Sequence, residues 1–127
     1  MSKDHKYIIS GIAQQLKNVL NSSEQAIYIY LDDLNKVCNE RFSSMLDYSS
    51  PHEWAKVSES FPMAFVEEKS RNALVNAYQN AMEKGVASSI RVTWKKKSGG
   101  NVNTNVILVP IEYEDHVLAI HFISKEK

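Results

Sequence analysis

The chain has 127 residues, 43% of them hydrophobic, and its 15 Lys+Arg balance 15 Asp+Glu to a formal net charge of zero. That length suits one domain around one core, and the neutral balance removes the attraction on which non-specific binding to nucleic acid or an anionic membrane relies. The single cysteine, Cys38, cannot form an internal disulfide, the polar start carries no signal-peptide core, and no apolar run nears the roughly 18 residues of a membrane span, so a cytoplasmic protein is the expectation.

The first segment, Lys6 to Asn21, carries Ile9, Ile12, Leu16 and Val19 at spacings of three, four and three. That pattern predicts an amphipathic helix, weakened modestly by Gly11. Its stripe has two readings: it packs on the chain's own sheet, or it pairs with its copy in a homodimer. Barely two heptads long, it needs sheet contacts as well to hold a dimer. Ala26 to Leu31 is β-branched and aromatic and predicts a buried strand. Asp32-Asp33 marks a turn, and Asn35 to Cys38 a short return strand.

Asn39 can cap a short helix bearing Phe42, Met45 and Leu46. Ser50-Pro51-His52-Glu53 predicts another helix start with a capping box, anchored by Trp54 and Val57. Ser58 to Phe65 reads as irregular, with Pro62 opposing a helix through it. Glu67 to Lys84 is the clearest helix, striped by Leu74, Ala77, Tyr78, Ala81 and Met82 and closed by Gly85. Ser88 to Lys95 alternates as a strand. Lys97-Ser98-Gly99-Gly100 is a hairpin turn, Val102 to Ile111 the partner strand, and His116 to Ile123 the last. Pro110 predicts an edge position or a bulge. The expectation is an α+β fold: one five-stranded antiparallel sheet covered by helices, with an N-terminal amphipathic helix (1–22) ahead of the main domain (23–127).

From about Ser22 to Ser124 this order resembles a PAS domain. The matching residues are Asp32 or Asp33 at a strand end, Asn39, Phe42, the turn Leu46-Asp47-Tyr48, the long helix ending at Gly85, the stretch VTWKKKSGG and the closing LAIHFI strand. Two departures stand out. Asp47 replaces the glycine common in the family, and SFPMAFVEEKSR replaces the polar block before the long helix. The resemblance implies a sensory or regulatory module, a homodimer, a ligand held between sheet and helices, and an effector such as a histidine kinase of a two-component system.

The chemistry-bearing residues are few, and none forms a catalytic set. Light-sensing relatives use a cysteine in an Asn-Cys-Arg order, which Cys38-Asn39-Glu40 reverses. Haem-binding relatives carry a histidine on the long helix, which has none here. No cofactor is therefore named, and a cofactor-free core stays open. His116 and His121, five apart on one strand, face opposite sides and cannot share a metal, and no metal site is expected. Asp32-Asp33 and Glu112, Glu114 and Asp115 read as turn residues. Tyr28, Asn39, Phe42, Trp54, Tyr78, Asn103, Asn105 and His121 are the candidate cavity residues, and Ile9, Ile12, Leu16 and Val19 the candidate dimer seam. The alternatives are a small α+β enzyme or binding protein with a cone-shaped fold, and a dimerisation adaptor without a ligand.

Overall fold

Apolar residues bury Ala26–Asp32 and the middle of His116–Lys125 on both faces, whereas Ser88–Lys95 and Asn101–Tyr113 leave much of one face exposed. The computed structural model describes residues 4–126. Its elements are α1 (His5–Gln15), α2 (Lys17–Ser22), β1 (Ala26–Asp32), β2 (Asn35–Cys38), α3 (Glu40–Met45), α4 (Pro51–Ala55), α5 (Phe61–Phe65), α6 (Glu68–Lys84), β3 (Ser88–Lys95), β4 (Asn101–Tyr113) and β5 (His116–Lys125). The strands form one antiparallel sheet in the order β2-β1-β5-β4-β3. The first two strands and the last three therefore join in one layer, as the sequence predicts. No helix among the described residues is long and apolar enough to cross a membrane.

Period-two alternation sorts the strand residues into two cores. On the inner face, Ala26, Tyr28, Val92, Trp94, Val106, Leu108, Ala119 and Ile123 meet Phe42, Trp54, Phe61, Phe65, Leu74 and Ala77 from the helices. On the outer face, Ile27, Ile29, Leu31, Leu118 and Ile120 meet Ile8, Ile9, Ile12 and Leu20.

Several local expectations meet corrections. The single N-terminal helix is two, because the backbone leaves helical geometry at Leu16 (φ −101°, ψ 15°). Ile9 and Ile12 are buried against the chain's own sheet, Leu16 is half-buried, and only Val19, 45% exposed, still faces outward. Gly11 is there for close approach: a Cβ at this position would sit 2.3 Å from the Tyr113 hydroxyl. The segment before the long helix contains α5, and Pro62 sits in its first turn, where its missing N–H costs nothing. Pro110 lies beyond Leu108, the last β4 residue paired with β3, so it occupies a stretch where β4 has only one neighbour.

The caps behave as the sequence predicts. Ser50 Oγ accepts from the Glu53 N–H at 3.0 Å, Glu53 returns a carboxylate oxygen to the Ser49 N–H at 2.8 Å, and Gly85 closes α6 at φ 65°. Asp47 has φ 66°, a left-handed value that favours glycine and that a short polar side chain tolerates.

Candidate functional site

The inner core is an aromatic cluster centred on Tyr28, which stacks on Phe42 (4.9 Å between ring centres), Phe61 (5.1 Å) and the imidazole of His121 (3.8 Å, 12° between planes). Tyr28 and His121 lie directly opposite each other in the β1–β5 register, which fixes that stack. Trp54 and Trp94 complete the cluster edge-on to Phe42. Trp94 Nε1 is satisfied: it donates to Thr104 Oγ1 at 2.8 Å, and Thr104 in turn donates to the Val92 carbonyl.

Beside this cluster, between β1, β5 and the helices α5 and α6, lies a cavity of about 120 Å³. It is lined by Tyr28, Tyr30, Phe61, Pro62, Leu74, Val75, Tyr78 and His121. His121 is 2% exposed, and its Nδ1 finds no hydrogen-bond partner among the described residues; Trp54 Nε1, deeper in the core, shares that state. Burial lowers the His121 pKa to about 3, against the opposing pull of the Tyr28 and Ala119 backbone, so the ring is neutral at physiological pH. Burial also raises the phenols of Tyr28, Tyr30 and Tyr78, so all three stay protonated. The cavity therefore offers aromatic surface and neutral polar groups. A larger hollow of about 690 Å³ near Gln25, Arg41 and Ser124 is open to solvent and edged by Glu24, Glu40 and Lys125, which makes it surface relief.

The walls are fastened by polar clips. Asp33 Oδ1 accepts from the Tyr30 hydroxyl (2.8 Å) and from the Phe61 N–H (3.0 Å), capping α5 from the β1–β2 turn. Lys36, 3% exposed, donates from Nζ to the carbonyls of Asp33 (2.5 Å), Val57 (2.7 Å) and Ala55 (3.2 Å), and lies 5.3 Å from the centre of the Trp54 ring. Burial lowers its pKa, countered by Asp33 and Asp32.

Of the eight candidate cavity residues, Tyr28, Tyr78 and His121 line the cavity. Phe42 and Trp54 pack in the wall behind Tyr28. Asn39 is spent on structure: its Oδ1 accepts from the Ile27 and Phe42 N–H groups, and its Nδ2 donates to the Gln25 carbonyl. Asn103 and Asn105 are exposed and out of phase with Val102, Thr104 and Val106, so they sit on the outer face, away from the cavity. Tyr30, Phe61, Pro62, Leu74 and Val75 were missed. Tyr30 was within reach, because it shares the parity of Tyr28.

Solved structures share this architecture. The PAS domain of a protein from Colwellia psychrerythraea superposes with a TM-score of 0.69 at 15% identity, over 91% of this chain and 97% of its own. A PAS domain from a two-component sensor histidine kinase gives 0.67 at 11%, over 92% and 99%. The chain has the PAS fold. The PAS domain of nitrogen regulation protein NR(II) from Vibrio parahaemolyticus gives 0.63 at 17%, over 86% and 95%. No protein-family model matches the sequence, and no curated protein matches it.

Within the PAS frame, the residues present do not fit the flavin-cysteine or haem-histidine arrangements. Cys38 is buried in the inner core, and burial pushes its thiol up to about 12, far from a reactive thiolate. α6 contains no histidine. The cavity is also well below the roughly 300–1,000 Å³ of sites that enclose drug-sized ligands.

Proposed function

We propose that this PAS-fold chain is a sensory or regulatory module that binds a small, uncharged, largely apolar molecule in the cavity beside Tyr28. The reading rests on one observation above all: a neutral, buried His121 whose Nδ1 lacks a partner among the described residues lines a cavity otherwise walled by tyrosines, Phe61 and aliphatic side chains. A buried polar atom without a partner costs about 1–3 kcal/mol, and a ligand that supplies one recovers it. A charged ligand would meet no countercharge among the cavity residues and is disfavoured by desolvation. The solved relative from a sensor histidine kinase supports a signalling role and an effector partner.

The signal in this reading is a shift between two packings of α5 and the sheet, selected because the ligand favours one of them. Homodimerisation belongs to the same reading, but with most of the Ile9–Val19 seam buried it draws on other surface. Ile107, 48% exposed, stands opposite half-buried Phe122 on the outer face. Native mass spectrometry reports both dimer and retained ligand. The pocket itself is tested by titrating phenol, indole and pyridine while following amide shifts by NMR. Shifts clustered at Tyr30, Phe61, Val75 and His121, and lost in His121→Phe for the hydrogen-bonding probes, support the pocket. Uniformly absent or scattered shifts reject it.

A further inference from the structure

Two histidines outside the cavity meet where α1 reaches the sheet. His5 opens α1, and His116 opens β5. Their ring centres are 5.4 Å apart with planes at 84°. His5 Nδ1 lies 2.5 Å from Asp32 Oδ2. A carboxylate only accepts here, so Nδ1 carries the proton. His116 Nδ1 lies 2.9 Å from the Glu114 carbonyl oxygen and carries its proton for the same reason. In each neutral ring that tautomer leaves the lone pair on Nε2.

We propose that His5 and His116 together bind a divalent transition metal ion such as Zn²⁺ or Ni²⁺ through their Nε2 atoms, fastening α1 to the start of β5. Metal-ligating histidines characteristically donate their other ring N–H to a carboxylate or a backbone carbonyl, and these two rings have one of each. The spacing also fits. Zn–N bonds of about 2.0–2.1 Å put each ring centre about 3.2 Å from the ion, and hence two ring centres about 5.2 Å apart at a tetrahedral angle. Rotation about the metal–nitrogen bonds leaves the interplanar angle free. Imidazole nitrogen selects Zn²⁺, Ni²⁺ and Cu²⁺ over Mg²⁺ and Ca²⁺. Among the described residues no group of three or more His, Cys, Asp or Glu side chains gathers as a metal cage, so water completes the coordination and the affinity is modest.

Three elements meet at the site: the N-terminus of α1, the β1–β2 turn through Asp32, and the β4–β5 hairpin through His116. The same hairpin sends Tyr113 onto Gly11, well under two α1 turns beyond His5. A bound ion therefore stabilises the docked position of α1 through its preference for that geometry.

The test uses the tag-free 127-residue chain, treated with EDTA and titrated with ZnCl₂ or NiCl₂ by calorimetry. One ion per chain with micromolar affinity is expected. His5→Gln and His116→Gln should each weaken binding about tenfold or more, whereas His52→Gln, at an exposed position on α4, leaves it within about twofold. Circular dichroism confirms that each variant is folded. Ni²⁺ should broaden amide signals at the start of α1 and the start of β5. No binding up to millimolar metal, an effect of only one of the two substitutions, or broadening centred elsewhere overturns the site.

Discussion

The two faces of the sheet are built from the same strands but from different materials. The outer face is mainly aliphatic: isoleucines and leucines of β1 and β5 meet isoleucines of α1, with Tyr113 and Phe122 packed at its margin. The inner face is aromatic, with two unpartnered nitrogens, a buried lysine and a cavity. Branched aliphatic side chains interlock without directional demands, whereas large rings and orphaned polar atoms leave gaps and unmet bonds. One face is filled by interlocking side chains and the other keeps a cavity and unmet hydrogen-bonding groups.

Acid should expose that contrast most strongly. The His121 pKa is near 3 when folded and near 6.5 when free. Its contribution is thus fully present above pH 6.5 and is lost as pH falls toward 3, because the unfolded chain takes up a proton the folded one refuses. The loss is on the order of 5 kcal/mol, so urea midpoints should fall across that window and fall distinctly less in His121→Phe. Identical pH profiles for the two proteins would remove His121 from the argument.

Trp54→Ala should cost about 4 kcal/mol in urea unfolding, as for other buried aromatic truncations, while Ile27→Val on the outer face costs about 1 kcal/mol. Lys36→Met keeps the apolar stem but strips three carbonyls of their donor, at about 2 kcal/mol. A neutral Lys36→Met would mean those carbonyls find water. The smallest effect lies under α1. Gly11→Ala gains about 1 kcal/mol of helix propensity but drives a Cβ into the Tyr113 hydroxyl. The gain should therefore appear in a Tyr113→Ala background and be cancelled with Tyr113 intact, and an equal effect in both backgrounds would deny the contact.

The periodicity of the strands and of α6 made the layer and its helix cover legible in the sequence, because those signals are local. What stayed hidden depends on contacts between distant residues. Nothing within Lys6–Asn21 foretells the break at Leu16, or that Ile9 and Ile12 serve the chain's own sheet. Pro62 by itself predicts a helix breaker, because the Asp33 side chain that caps Phe61 lies 28 positions away. Asn39 looked like a pocket group and is a clip between β1 and α3, since its polar atoms are claimed by backbone that folding brings alongside. Asn103 and Asn105 are legible in the sequence: they alternate with Val102, Thr104 and Val106, which places them on the opposite face from the cavity.

One detail of the β1–β2 turn has a mechanical consequence. Asp32 grips His5 on one side and caps its own turn through the Leu34 and Asn35 N–H groups. Burial alone would raise its pKa, and those partners together lower it. Its neighbour Asp33 grips Phe61 and Tyr30 on the other side. Two consecutive carboxylates thus act as a pivot pin through the sheet. The cavity wall at Phe61 and the first turn of the N-terminal helix are thereby moored to adjacent residues, one peptide bond apart.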